Sequence, residues 1–265
     1  MVGANIDVGG LSVHYQEAGR GTPVVLLHGF ALDGRSWRPQ VSALSDAYRV
    51  VAWDAPGAGE SADPPDDWAT ADFVDSLATF LRLVAIGPAH FVGLSWGGIL
   101  AQEFYRRHRD AVRTLALADT YAGWAGSLGS HGCADRLDAC LTLADRPVRE
   151  IVAGLLPGLL SDRVADATRD ELAGIMSDLH PAGFRLMSLS SAEVDTTDLL
   201  SEIDVPTLLI WGEADARSSV EIANRMNEAI PGSELTVLWG AGHMSNLEAP
   251  RRFTAALRRF HSRHP

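Results

Sequence analysis

The sequence has little cysteine and no long apolar run. Among its 265 residues the only thiols are those of Cys133 and Cys140, which excludes a disulfide framework. If both lie on one helix, they are about two turns or roughly 10 Å apart, which is too far to bridge. The first seven residues lack the basic and apolar regions of a signal peptide, and no stretch of 18 apolar residues occurs. We therefore expect a cytoplasmic protein.

Basic residues are scarce relative to acidic ones. The chain has 22 Lys and Arg residues against 34 Asp and Glu residues, a net charge of −12. Nucleic acids and anionic membranes bind to basic surfaces, so neither is an expected partner. The arginines near the C-terminus have the spacing of a solvated helix face. We expect a small-molecule substrate, bound by a monomer or homodimer.

Short apolar runs alternate with amphipathic segments of helical length. Hydrophobic residues make up 46% and charged residues 21% of the chain, as in ordinary globular proteins of one or two domains. The segment 11–17 has the alternation of a strand, and 96–107 and 220–230 have the pattern of helices. This order predicts an α/β fold: a mostly parallel, doubly wound sheet with helices on both faces. The runs predicted as strands are 24–28, 48–54, 89–94, 113–119, 206–211 and 235–239, and the first two have the continuous apolar pattern of buried parallel strands.

The pattern changes between residues 121 and 197, where apolar residues recur only at helical spacing. We interpret this stretch as an inserted helical cap, and residues 1–120 and 198–265 as the core that carries the sheet. The first part of the predicted cap is rich in glycine, and we expect an ordinary loop there rather than a hinge (Gly123, Gly126, Gly129 and Gly132).

A G-x-S-x-G sequence, Gly93-Leu-Ser95-Trp-Gly97, stands where a predicted strand meets a predicted helix. In a nucleophile elbow the serine occupies a strained turn, and glycines on either side allow the strand and helix to approach each other. The start of the helix supplies positive potential for a developing oxyanion. Ser95 is therefore the candidate nucleophile.

A serine hydroxyl needs a base to accept its proton, and the base needs a carboxylate to orient it. His243 follows the last predicted strand in a Gly-rich loop, which makes it the candidate base. Asp215, at the end of the preceding strand, is the candidate acid, with Asp119 and Glu213 as rivals. The other histidines after Ser95 fall in the helical stretch or at the C-terminus (His131, His180, His261 and His264).

Two backbone N–H groups are candidates for an oxyanion hole. One belongs to Trp96, directly after the candidate nucleophile, and the other to Phe30 in the loop after an early strand. We expect His28 to support that loop by hydrogen bonding. Trp37 and Trp124 are candidates for the walls of a substrate pocket.

Five motifs follow one another along the chain: His28-Gly29, Asp54-Ala-Pro-Gly-Ala-Gly-Glu-Ser61, Gly93-Leu-Ser-Trp-Gly-Gly98, Trp211-Gly-Glu-Ala-Asp215 and Gly242-His-Met-Ser-Asn-Leu-Glu248. In this order they resemble the motifs of the α/β-hydrolase fold family along nearly the whole chain. Two segments, 115–120 and 242–248, are similar to 3-oxoadipate enol-lactone hydrolases and small carboxylesterases. Those enzymes more often carry Met where this chain has Trp96.

The resemblance implies a serine hydrolase that cleaves a carboxylic ester or lactone of a small, mainly apolar substrate, with no metal or organic cofactor. Three alternatives stay open. A carbon–carbon bond hydrolase would use the same triad, and the Ser-Trp-Gly-Gly sequence is also similar to proline iminopeptidases. A receptor of the same fold would bind a small lactone and turn it over very slowly. An aspartate nucleophile is excluded by Ser95.

Overall fold

The six apolar runs predicted as strands form six adjacent strands of an eight-stranded sheet in the computed structural model, which describes residues 2–265. The sheet order is β1-β2-β4-β3-β5-β6-β7-β8, antiparallel where β2 joins β1 and β4 and parallel from β4 to β8. The strands are β1 (Val2–Val8), β2 (Leu11–Ala18), β3 (Pro23–Leu27), β4 (Arg49–Trp53), β5 (Ala89–Leu94), β6 (Val112–Ala118), β7 (Thr207–Gly212) and β8 (Glu234–Leu238).

Helices cover both faces of the sheet: α1 packs against α11, and α2 packs against α3. The predicted α/β class is therefore confirmed. The helices are α1 (Arg38–Leu44), α2 (Thr70–Leu83), α3 (Trp96–Arg107), α4 (Gly123–Ala144), α5 (Val148–Leu155), α6 (Asp166–Met176), α7 (Pro181–Glu193), α8 (Thr197–Leu200), α9 (Val220–Ala229), α10 (Ser245–Glu248) and α11 (Pro250–His261), with 3₁₀ turns at Gly34–Trp37, Arg109–Ala111 and Leu156–Gly158.

The register of the parallel strands brings several loops to one edge of the sheet. Gly93 in β5 lies beside Leu27 in β3 and Leu117 in β6, and Ala118 lies beside Ile210 in β7. The carboxyl ends of these strands are therefore level. Ligands of open α/β sheets bind outside the carboxyl ends of the strands, so this edge is where a site is expected.

Strand β1 was absent from the sequence-based prediction. It pairs with β2 alone, at the edge of the sheet, and most of its side chains are exposed or half-buried. An edge strand of this kind carries no continuous apolar run, so its pattern is weak.

Helices α4 to α7 lie between β6 and β7 within residues 121–197, where the sequence predicted a helical insertion, and α8 begins at the last residue of that stretch. Residues 121–197 are called here the helical insertion. Expecting an ordinary loop at its glycine-rich start was wrong, because those glycines lie in α4. The helix is interrupted at Gly129, whose φ of 72° and ψ of 168° are not helical. Within residues 2–265, no helix combines the length and apolar character that crossing a membrane requires.

Candidate active site

Ser95 occupies the turn between β5 and α3, with a φ of 52° and a ψ of −116°. A positive φ is rare for a residue with a side chain and marks a strained turn. The turn requires a glycine at position 97, because a Cβ on Gly97 would clash with the backbone carbonyls of Leu27 and His28. The backbone N–H of Ser95 donates to the carbonyl of Ala118 over 2.9 Å, which fixes the turn to β6.

His243 reaches Ser95 from the loop that follows β8. Its Nε2 lies 3.0 Å from the Ser95 hydroxyl oxygen, and its Nδ1 lies 2.8 Å from Oδ2 of Asp215. Since Nδ1 faces a carboxylate, the proton of the neutral ring belongs on Nδ1, which leaves Nε2 free to accept from the hydroxyl. The arrangement can therefore take the proton of Ser95 and stabilise the imidazolium that results.

Asp215 lies in the loop after β7, and its carboxylate is fully hydrogen-bonded. Oδ1 accepts from the backbone N–H groups of Arg217 (2.8 Å) and Ser218 (2.9 Å), and Oδ2 accepts from His243. These bonds hold the carboxylate in one orientation. The side chains of Asp215 and His243 are both buried, which shields their pairing from solvent.

The two rival acids point elsewhere. Asp119 accepts hydrogen bonds from the N–H of Gly212 (2.7 Å) and the hydroxyl of Ser245. Complete burial, reinforced by the charge of Asp215, raises the pKa of Asp119 well above its usual range. Glu213 is exposed and accepts from the N–H of Gly240 at 3.3 Å. Neither carboxylate is hydrogen-bonded to His243 among the described residues.

The loop after β3 lies directly against Ser95, since a Cβ built on Gly29 would be 3.4 Å from the Cβ of Ser95. His28 supports this loop, as the sequence predicted. Its Nδ1–H donates to the carbonyl of Gly29 (2.8 Å), and its Nε2 accepts from the N–H of Ala55 (3.1 Å). Phe30, the residue after Gly29, carries one of the two backbone N–H groups that the sequence predicts for an oxyanion hole, the other being that of Trp96.

The tryptophans predicted near the pocket have different surroundings. The Trp124 ring meets the Phe30 ring edge-on, with 5.9 Å between centroids, so it lies beside the loop near Ser95. Trp37 is buried against Phe253 of α11, which is a core position. Trp96 turns its ring toward the helical insertion, where its Nε1–H donates to the hydroxyl of Ser190 over 3.1 Å.

Sequence reasoning missed a carboxylate that connects the His243 loop to the helical insertion. Oε1 of Glu248 accepts from the N–H of Gly242 (2.9 Å), and Oε2 accepts from the hydroxyl of Ser161 (2.5 Å). The N–H of Met244 also donates to the carbonyl of Leu159 (3.1 Å). Glu248 ends a motif that the sequence singled out, but its partner is 87 residues away in the chain, and no sequence spacing points to it.

Comparisons with known proteins identify the family and the fold of this chain. A family model described as "Alpha/beta hydrolase family" matches residues 24–257. Two relatives in Acinetobacter baylyi are similar along most of their length. The 3-oxoadipate enol-lactonase 1 is 27% identical, with 92% of this chain and 90% of that enzyme covered. The (E)-2-((N-methylformamido)methylene)succinate hydrolase is 24% identical, with 93% and 92% covered.

A solved structure has the same overall shape. It is that of a thermophilic esterase from Thermogutta terrifontis with malate bound, which is 30% identical to this chain. The TM-score is 0.90, and the superposition covers 100% of both chains.

Proposed function

The chain belongs to the alpha/beta hydrolase family, and from that premise we propose that it is a serine hydrolase that cleaves a carboxylic ester or lactone of a small substrate. The observation that carries the proposal is the unbroken chain of hydrogen bonds from Asp215 through His243 to Ser95. Similarity to an enol-lactonase and to an esterase over nearly the full chain supports the choice of substrate bond.

In the first half of the reaction, Ser95 Oγ attacks the carbonyl carbon while His243 Nε2 takes its proton. Asp215 keeps the ring in the productive tautomer and stabilises its positive charge. The tetrahedral intermediate collapses, the bond to the leaving oxygen breaks, and His243 returns the proton to that oxygen. An acyl group then remains on Ser95.

The oxyanion of the intermediate is held by the backbone N–H groups of Phe30 and Trp96. The first lies in the loop that touches Ser95, and the second opens α3, where the helix dipole adds positive potential. Loss of one such donor typically costs about 3 kcal/mol of transition-state stabilisation. In the second half of the reaction, His243 activates a water molecule that hydrolyses the acyl-enzyme.

The helical insertion acts in this proposal as a cap over the site, and residues 1–120 and 198–265 form the catalytic core. Phe184 of α7 stacks on Phe30 with centroids 5.5 Å apart, and Trp124 meets the same ring at its edge. These rings form an apolar wall next to the proposed oxyanion hole. We assign Trp124 to the substrate pocket, whereas the packing of Trp37 against Phe253 favours a structural role for that residue.

The test is hydrolysis of p-nitrophenyl butyrate by the wild type, Ser95→Ala and Ser177→Ala. Ser177 is an exposed serine at the end of α6 whose hydroxyl donates to the carbonyl of Gly174 in that helix. Its replacement therefore controls for the removal of a serine in general. We expect kcat/KM to fall by about five orders of magnitude in Ser95→Ala and to be unchanged in Ser177→Ala.

Folded wild type without turnover of simple esters or lactones would contradict the proposal. Cleavage of a β-diketone would then indicate a carbon–carbon bond hydrolase, and release of an N-terminal proline would indicate an iminopeptidase. Stabilisation by a lactone with negligible turnover would indicate a receptor.

A further inference from the structure

Two arginines lie under the helical insertion next to the proposed triad. Arg217 comes two residues after Asp215, and its guanidinium donates to the carbonyl of Leu155 (3.1 Å) and packs on Gly158. Arg136 of α4 donates to the hydroxyl of Tyr121 (2.6 Å) and to the backbone carbonyl of Arg217 (3.3 Å). All of these acceptors are neutral.

Neither guanidinium forms an ion pair with a carboxylate in the part of the chain that the structure describes. By contrast, the partly buried Arg35, Arg49 and Arg106 each lie against a carboxylate. The Nε of Arg217 is also buried without a hydrogen-bond partner among the described residues.

Burial lowers the pKa of Arg217, and the charge of Arg136 lowers it further, although neighbouring groups, Tyr121 first among them, act in the opposite direction. Partly buried positive charges without an ion pair are costly. Asp215 is the one carboxylate among the groups that act in the opposite direction, and it is already hydrogen-bonded to His243. The two arginines therefore suit a ligand that brings negative charge.

Both arginines are close to where the proposed reaction takes place. The guanidinium carbon of Arg136 lies 5.6 Å from the centre of the Trp124 ring, and the same ring meets the Phe30 ring edge-on. The backbone N–H of Arg217 donates to the carboxylate of Asp215. The Trp124 ring therefore contacts both the Arg136 cation and Phe30 of the loop beside Ser95.

We propose that Arg136 and Arg217 bind a free carboxylate of the substrate, so that the ester or lactone hydrolysed is one derived from a dicarboxylic acid. This inference rests on the proposed function. Arginine suits the role because its planar N–H groups match the two oxygens of a carboxylate. The distant carboxylate is unchanged in the reaction. Water adds to the carbonyl carbon, the bond to the leaving oxygen breaks, and the product is a dicarboxylate.

The experiment compares monoethyl adipate with ethyl hexanoate, two ethyl esters of six-carbon acids that differ in whether a carboxylate ends the chain. The proteins are the wild type, Arg136→Gln, Arg217→Gln and Arg136→Lys. The control is Arg225→Gln, which removes an exposed arginine that donates to a carbonyl of the helical insertion. Circular dichroism and thermal unfolding establish that each variant is folded.

We expect both Gln variants to lose about 10- to 100-fold in kcat/KM for monoethyl adipate, mainly through KM, because charge-assisted hydrogen bonds are lost. Ethyl hexanoate should be hydrolysed as by the wild type. Arg136→Lys should recover part of the loss, and Arg225→Gln should behave as the wild type. Equal losses on both esters would overturn the proposal and leave the arginines as tethers of the insertion.

A binding measurement separates this inference from the proposed function. Calorimetric titration of the wild type with adipate should show binding that Arg136→Gln and Arg217→Gln weaken. If no ester is hydrolysed but this pattern holds, the proposed function fails and the carboxylate site stands. If esters are hydrolysed and adipate binds equally to all variants, or to none, the carboxylate site fails and the proposed function stands.

Discussion

Asp119 and Ser245 are joined by a hydrogen bond that connects the end of β6 to the segment after His243. Asp119 is completely buried, has a φ of 46°, and also accepts from the N–H of Gly212. A rival to Asp215 as the triad acid thus anchors the backbone near the base without bonding to it. Its raised pKa reflects burial first and the nearby charge of Asp215 second.

Asp119→Asn and Asp215→Asn should have very different effects. An amide at position 119 still accepts from Gly212 and can donate to Ser245, so kcat/KM should stay within an order of magnitude of the wild type. An amide at position 215 favours the wrong tautomer of His243 and should lower kcat by about four orders of magnitude. Steady-state kinetics on p-nitrophenyl butyrate measures both. A comparable loss in Asp119→Asn would make Asp119 the functional acid.

Glu248→Gln should loosen the connection between the His243 loop and the helical insertion. The amide retains one acceptor for Gly242 but cannot accept from Ser161 with the strength of a carboxylate. We expect the free energy of unfolding to fall by about 1 to 3 kcal/mol, as urea titration would measure, with a parallel fall in kcat. Glu213→Gln is the matched control, because that exposed side chain makes one long bond to Gly240. Equal stability of the two variants would contradict the role of Glu248.

Two stacked histidines, at the end of the sheet opposite to the proposed active site, should make the stability of the protein sensitive to acid. The ring centroids of His90 and His261 lie 4.3 Å apart, and both ring nitrogens of His261 lack hydrogen-bond partners among the described residues. Burial lowers the pKa of His90 to about 4 and that of His261 to about 3. Tyr48 faces both rings, and the nearby Arg113 and His264 add to the lowering at His90.

Because these pKa values are lower in the folded state than in the unfolded state, the unfolded state binds more protons below pH 6.5. Each histidine's contribution to the free energy of unfolding is therefore fully present above that pH and is lost as the pH falls toward 3. The loss at pH 5 is about 2 kcal/mol per histidine. His261→Phe should reduce the drop in Tm between pH 8 and pH 5. His131→Gln, at a site whose side chain is 91% exposed, should leave it unchanged. An identical drop in both variants would refute this explanation.

The central strands and the turn at Ser95 were predictable because each has a strong local pattern, whereas Asp215 and His243 were predicted from their order in the chain and their places after strands. Buried parallel strands are continuous apolar runs, and the elbow needs glycines at fixed positions around Ser95. Contacts between distant parts of the chain have no such pattern. Trp37 and Trp124 are both fully buried, yet only the fold decides that one meets Phe253 and the other Phe30.

The pairing of Arg136 with Arg217 was also beyond the sequence. The two residues are 81 positions apart, and their proximity depends on how α4 packs over the loop after β7. The lack of an ion pair between either guanidinium and a carboxylate, among residues 2–265, depends on how the folded chain places its charges. The overall composition, with more acidic than basic residues, would instead favour an ion pair for each arginine.

The most direct test of the account is to label the nucleophile. Incubation with diethyl p-nitrophenyl phosphate, followed by intact-mass and peptide mass spectrometry, reports which side chain forms a covalent bond. We expect one diethylphosphoryl group per chain, located on Ser95, with labelling abolished in Ser95→Ala and much slower in His243→Gln. Stoichiometric labelling at another residue, with esterase activity intact in Ser95→Ala, would contradict it.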